Sequence, residues 1–124
     1  MSDSFKYYNE NPYKLEEEDC VCRAISLGLN LPYTATHNLL NLSAEHNNCS
    51  TLCVCCYHHL LEDVFNLTAN YVHFTKTVKN IAAQHPYNKV IIRIDGHLTC
   101  AVSGVIYDLW DCSREYVDCY WVTN

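Results

Sequence analysis

Residues 90–110 carry the strongest fold signal in the chain, and they read VIIRIDGHLTCAVSGVIYDLW. Residues 90–94 are mostly β-branched, which favours a strand. Residues 98–102 and 105–110 flank Ser103-Gly104, a dipeptide that is typical of a tight hairpin turn. This stretch therefore predicts three successive strands, of which the last two form an antiparallel hairpin.

The rest of the chain adds helices before these strands and one more strand after them. Apolar residues at helical spacing predict four helices. The first covers residues 20–29, and the second covers residues 34–46 with Thr34 as its N-cap. The third starts after the cap Ser50, and the fourth covers residues 75–84. Further predicted strands are residues 71–74 and 117–122. Residues 1–19 read as an irregular segment. Helices that precede an antiparallel sheet indicate an α+β fold.

Length and composition fit one folded domain. The chain has 124 residues, of which 49% are hydrophobic and 18% are charged. A chain of this size buries enough surface to fold alone. We therefore predict a single domain over residues 1–124.

Charge and hydropathy argue against two classes of partner. The chain has 14 acidic and 8 basic residues, a net charge of −6, and lacks the basic stripe that nucleic-acid binding requires. Its apolar runs are far shorter than the ~20 residues of a membrane span. Residues 1–10 also lack the apolar segment of a secretory signal. We expect a cytoplasmic protein that binds neither nucleic acid nor membrane.

Cys20 follows Asp19 at the start of the first predicted helix. The dipole and the unpaired N–H groups of a helix N-terminus stabilise an anion. They lower a thiol pKa and so favour the nucleophilic thiolate, and a backbone N–H there can also donate to an oxyanion. Cys20 is therefore a candidate nucleophile, although a cysteine at such a place is more often an inert, buried residue.

His97 begins a predicted strand within Gly96-His97-Leu98-Thr99. A histidine on a strand that faces a helix N-terminus is the usual partner of a reactive cysteine, and an acid on the next strand can orient it. A two-residue turn at Ser103-Gly104 places Asp108 on the face of His97, whereas a three-residue turn places Asp111 opposite it. The turn signal alone leaves both acids open.

Three motifs together resemble the small papain-like cysteine peptidases of phages and bacteria. They are Asp19-Cys20 before a helix, Gly96-His97-Leu98-Thr99, and residues 105–113, VIYDLWDCS. The chain is more distantly similar to the bacteriocin-processing peptidases, which also carry an Asp-Cys nucleophile. The resemblance spans residues 19–121 and implies a papain-like α+β fold, with N-terminal helices followed by an antiparallel sheet.

The resemblance also implies an activity, the cleavage of a peptide or amide bond without a cofactor. It implies Cys20 as nucleophile, His97 as general base and then acid, and Asp111 as the residue that orients His97, because the acid of this family tends to end its strand. The implied partner is a peptide or protein substrate. If the chain is phage-encoded, the implied location is the cytoplasm of a bacterial host.

The chain departs from the family pattern at Lys14, where a glutamine usually donates to the oxyanion. Asn9 and Asn11 are the nearby amides that can substitute for it. Loss of one such donor costs a factor of ~10²–10³ in rate, so an alternative is a catalytically weak or dead binding module that sequesters a host protein or ligand. Deamidation, transglutamination and small-amide hydrolysis use the same triad and are further alternatives.

A second group of reactive side chains occupies residues 49–59, which hold four cysteines and two histidines. Thiolates suit zinc or copper, but this spacing matches no standard zinc finger. Cys49, Cys53 and Cys56 share one face of the third predicted helix, along which an apolar band continues. We expect these cysteines to fill the core and predict no metal ligand. The odd total of nine cysteines and the absence of an export signal indicate reduced thiols.

Overall fold

The computed structural model describes residues 5–9, 11 and 19–124. In this part of the chain, four helices pack on a six-stranded mixed sheet, which confirms the α+β class. The helices are α1 Cys20–Leu29, α2 Tyr33–Asn47, α3 Val54–His58 with a π-helical continuation His59–Val64, and α4 Val78–Gln84. The strands are β1 Phe5–Tyr7, β2 Asn70–Tyr71, β3 Lys89–Ile94, β4 His97–Val102, β5 Val105–Asp108 and β6 Val117–Val122. Of the helices in these ranges, none is long and apolar enough to cross a membrane.

The strands are ordered β1-β5-β4-β3-β6-β2 in the sheet. The central strands β5, β4, β3 and β6 are antiparallel neighbours, as predicted. Ser103 and Gly104 form the two-residue turn between β4 and β5, with φ values of 50° and 82°, the left-handed conformation that a tight hairpin requires. Val102 pairs with Val105 across this turn, which fixes the register of the hairpin.

Strand β1 corrects the expectation that residues 1–19 are irregular. Phe5–Tyr7 pairs in parallel with β5, so the sheet is mixed instead of wholly antiparallel. Pairing with an existing sheet edge, more than local propensity, stabilises so short a strand. Residues 1–4, 10 and 12–18 of the same segment lie outside the described residues.

The core occupies both faces of the sheet, because successive side chains of a strand point to opposite faces. On one face, the first three helices cover Ile91, Leu98 and Trp121. On the other face, α4 covers Val90 and Ile92. The sheet is therefore the middle of three layers, and α1 lies in the larger helical layer.

Helix α1 has the predicted bounds, but it is buried on more than one face. Asn30 ends it in the left-handed conformation, with φ 55°. Helical spacing puts Arg23 and Ser26 off the apolar face that carries Ala24 and Ile25, yet they are only 8% and 1% exposed. A buried guanidinium requires paired carboxylates, and Asp19 and Asp108 supply them.

Helix α3 begins later than predicted, at Val54 and not after a cap at Ser50. The residues before it form a turn, so Cys49, Cys53 and Cys56 do not share a helix face. Cys56 is fully buried in the core, as expected, whereas Cys49 and Cys53 lie only half-buried at its edge. The expectation that all three fill the core is therefore met by Cys56 and only in part by Cys49 and Cys53, which pack against the core from its edge.

The predicted strand at residues 71–74 also stops early. His73 and Phe74 have φ values of 49° and 63°, which lie outside the β region. Strand β2 accordingly ends at Tyr71, and the chain turns sharply before α4. That helix starts at Val78, after the N-cap Thr77.

Candidate active site

Cys20 is the first residue of α1, directly after Asp19. The Asp19 side chain makes no capping hydrogen bond to the helix, and its oxygens instead accept hydrogen bonds from Arg23 and Tyr33. The partial positive charge of the helix N-terminus therefore acts on the half-buried Cys20 thiol. This local geometry favours a thiolate at Cys20.

His97, the first residue of β4, lies between Cys20 and an acid. Its Nε2 atom is 2.7 Å from Oδ2 of Asp108, and the ring lies close enough to the Cys20 thiol for the two groups to shift each other's pKa. Because the carboxylate holds Nε2, Nδ1 is the ring nitrogen left for the thiol. The structure thus brings together Cys20 and His97, the two residues that sequence analysis paired.

The acid beside His97 is Asp108, which corrects the expected position of Asp111. The two-residue turn at Ser103-Gly104 sets the register that places Asp108 on the face of His97. Asp111 lies beyond the end of β5, where it is exposed and its Oδ1 atom accepts a hydrogen bond of 3.0 Å from the Ser113 N–H. Strand β5 ends at Asp108, two residues before the predicted end at residue 110, so Asp108 and not Asp111 is the acid at the strand end.

The charges of this group favour a proton on the imidazole over one on the thiol. Burial alone raises the pKa of Cys20, but the hydrogen bond with His97, a backbone hydrogen bond and the charges of His97 and Arg23 outweigh it, so the pKa falls below its ordinary value. Burial likewise lowers the pKa of His97, yet its hydrogen bonds with Asp108 and Cys20 raise it to about 9. The same pairing outweighs burial at Asp108, whose pKa is lowered. These directions favour a thiolate–imidazolium ion pair.

Arg23 ties the start of α1 to the end of β5. Its Nε atom lies 2.6 Å from Oδ1 of Asp19, and its Nη1 atom lies 3.0 Å from Oδ1 of Asp108. Asp108 therefore uses one oxygen for Arg23 and the other for His97, which fixes the plane of its carboxylate. Sequence analysis missed this role, although Asp19 and Arg23 have the i,i+4 spacing of a helical ion pair.

The amides suggested as oxyanion donors have other partners. The Asn11 amide group donates to Oδ2 of Asp19 over 3.3 Å and to a neighbouring tyrosine hydroxyl. Asn9 accepts the Asn11 backbone N–H through Oδ1, over 3.0 Å. Lys14, which stands where the family pattern has glutamine, lies outside the described residues. The backbone N–H of Cys20 is the donor that the start of α1 offers.

A cleft of about 660 Å³ opens over Cys20 and His97. Its volume is in the range of sites that bind a small molecule or a few residues of a peptide. Large apolar side chains that are 39% to 49% exposed line it, namely Leu52, Val54, Phe74 and Trp110. The Trp110 ring lies 5.1 Å from the ring of His97. The cleft therefore joins a reactive pair to an apolar binding surface.

Comparisons of the chain with protein-family models, with curated proteins and with solved structures return no match. The arrangement of Cys20, His97 and Asp108 is accordingly interpreted from its own geometry.

Proposed function

We propose that this protein is a papain-like cysteine hydrolase that cleaves a peptide or amide bond. The main support is that His97, whose ring is hydrogen-bonded to Asp108, lies beside the Cys20 thiol at the start of α1 and lowers its pKa. A thiolate beside an imidazolium that a carboxylate orients is the arrangement that attacks a carbonyl carbon. A nucleophile on a helix and a base on an antiparallel strand also agree with the papain-like layout that the resemblance implies.

The proposed reaction begins with attack of the Cys20 thiolate on the carbonyl carbon, which gives a tetrahedral oxyanion. The Cys20 N–H donates to this oxyanion. His97 then gives its proton to the leaving amine, and the carbon–nitrogen bond breaks to leave a thioester. Water attacks the thioester while His97 takes a proton from it, and the acid leaves as the thiolate–imidazolium pair re-forms.

The cleft supports a peptide or protein substrate with an apolar side chain near the scissile bond. Leu52 and Phe74 present apolar surface beside the reactive pair, and apolar lining with few polar groups is typical of ligand sites. If the chain is phage-encoded, as the resemblance implies, the proposed substrate is a protein of the bacterial host cytoplasm.

The test is acyl-enzyme trapping with a pool of peptide amides that differ in the residue before the scissile bond. The chain is mixed with the pool and quenched in acid, and free amine and protein mass are measured. We expect amine release and one acyl group on Cys20, and neither in Cys20→Ala. Cys22→Ala is the matched control, because the Cys22 thiol points to the carbonyl oxygen of Tyr33, 3.6 Å away, and it should retain both.

The second candidate is a papain-like binding module that holds a host protein or ligand without cleaving it. It is favoured by the hydrogen bonds of Asn11, because its amide already donates to Asp19 and a tyrosine and adds no second donor for an oxyanion. Tight binding of a peptide by wild type, with neither amine release nor an acyl group on Cys20, would replace the hydrolase with this module.

A further inference from the structure

Cys49, Cys53 and Cys55 bring three thiols together beside the cleft. Their Sγ atoms all lie within 4.8 Å of one another, and those of Cys53 and Cys55 are 3.0 Å apart. All three are free cysteines, two of them half-buried and Cys55 exposed. Core filling does not explain the cluster, since an exposed thiol gains little from burial.

Backbone hydrogen bonds hold the turn that carries these thiols. Cys49 follows the left-handed residue that ends α2, and its N–H donates to the Ala44 carbonyl over 2.9 Å. The Cys53 N–H donates to the Ser50 carbonyl over 3.0 Å, and Cys53 is the residue from which α3 starts. Cys55 follows in the first turn of that helix. The three sulfurs are therefore positioned by two helix ends and not by a loose loop.

A second group of ligating atoms, on His97, Asp108 and Cys112, fits a cation less well. Its sulfur and carboxylate are buried, and the Arg23 guanidinium already lies 3.0 Å from Oδ1 of Asp108. A further positive charge there meets the repulsion of Arg23 and displaces the ion pair of the active site. The cluster of Cys49, Cys53 and Cys55 offers only sulfur ligands, and it is the better candidate for a metal site.

We propose that Cys49, Cys53 and Cys55 bind one thiophilic cation, zinc(II) or copper(I), through three thiolates. Thiolate sulfur is the ligand type that selects these cations. Three thiolates suffice for copper(I), and zinc(II) takes a water molecule as fourth ligand. Because Leu52 and Val54 alternate with the ligands and line the cleft, the bound cation holds one wall of the cleft in place. The site does not depend on the proposed hydrolase.

The test is a zinc(II) titration of the full, reduced chain against a chromophoric chelator, without oxygen. We expect one zinc ion per chain, and a loss of affinity on the order of 100-fold in each of Cys49→Ser, Cys53→Ser and Cys55→Ser. Cys20→Ala and Cys22→Ala are the matched controls and should bind zinc as wild type does. Cadmium(II) should give a thiolate charge-transfer band whose intensity corresponds to three sulfurs.

Three results would overturn the proposal. They are zinc binding that survives Cys53→Ser, zinc binding that is lost in Cys20→Ala, and no uptake of either zinc(II) or copper(I) tighter than micromolar by the reduced chain. Cys55 is exposed, so Cys55→Ser should fold, and its thermal unfolding without metal distinguishes lost ligation from lost structure.

Discussion

Cys20 and Cys53 occupy similar places in the backbone but have different neighbours. Cys20 is the first residue of α1 and Cys53 is the N-cap residue of α3. The thiolate of Cys20 faces the positive charges of His97 and Arg23. Cys53 faces the other thiols of its cluster, and hydrogen bonds from Cys55 lower its pKa. A start of a helix therefore does not by itself make a nucleophile, and nearby cations make the difference.

The neighbouring groups also decide what each thiol can do. At the candidate active site the negative charge of a Cys20 thiolate faces the positive charges of His97 and Arg23, an arrangement that suits attack on a carbonyl carbon. In the cluster the thiols face one another, and the pKa of Cys55 is raised to about 12 because its thiol hydrogen-bonds to Cys49 and Cys53. The first arrangement suits covalent chemistry, and the second suits a bound cation.

The largest expected effect is on the free energy of unfolding, which a change beside Cys20 should lower far more than a change in the cluster around Cys53. Arg23→Met leaves the buried carboxylates of Asp19 and Asp108 without their guanidinium, and we expect the free energy of unfolding to fall by about 3–5 kcal/mol. Cys55→Ser changes an exposed thiol and should alter it by no more than about 0.5 kcal/mol. Urea unfolding of both variants measures the difference. Similar losses in the two would mean that no buried ion pair supports the active site.

The second prediction concerns the reactivity of Cys20. His97→Ala removes the imidazolium that lowers the Cys20 pKa, so its alkylation by iodoacetamide at pH 6 should slow on the order of 100-fold, because less of the thiol is ionised. Labelling of Cys53 in the same sample should not change. Site-resolved mass spectrometry follows both residues, and equal Cys20 rates in wild type and variant would rule out the ion pair.

The third prediction compares the two acids. Asp108→Asn removes the carboxylate that holds Nε2 of His97, so the pKa of His97 should fall well below about 9, and Cys20 alkylation at pH 6 should slow about tenfold. Asp111→Asn is the matched control and should leave both quantities unchanged, since Asp111 is exposed and bonded to Ser113. Titration of His97 by NMR checks the pKa directly. A larger change in Asp111→Asn would restore Asp111 as the orienting acid.

The choice between Asp108 and Asp111 is the part of the site that the sequence alone could not predict. Residue types predicted the strands, the tight turn and the two candidates Asp108 and Asp111, but the choice between them depended on a register that shifts with one residue of turn length. The sequence left both turn lengths open; the structure has the two-residue turn, and Asp108, which this turn places on the face of His97, is the acid in contact with the ring. The resemblance led to Asp111 because the strand was predicted to run to residue 110, whereas β5 ends at Asp108.

Interactions between distant residues account for most of the remaining differences. Arg23 was assigned to the exposed side of α1, because a helical pattern cannot show a carboxylate that arrives from residue 108. Strand β1 was missed since its stability comes from the edge of β5. The late start of α3 went unpredicted because Ser50 is a plausible cap on its own. Because α3 starts at Val54, Cys53 lies outside the helix, and its sulfur is 3.0 Å from that of Cys55.

The smallest expected effect tests whether a neighbouring thiol alone can change the reactivity of Cys20. Cys22→Ala removes a sulfur two positions along the same helix but removes no charge, and that sulfur points to the Tyr33 carbonyl. The alkylation rate of Cys20 at pH 6 should change by less than about twofold, because the cations that lower its pKa are untouched. The same labelling experiment as for His97→Ala measures it. If Cys22→Ala slowed the reaction as much as Asp108→Asn, thiol neighbours would influence Cys20 as strongly as charges do. The contrast with the cluster around Cys53 would then no longer hold.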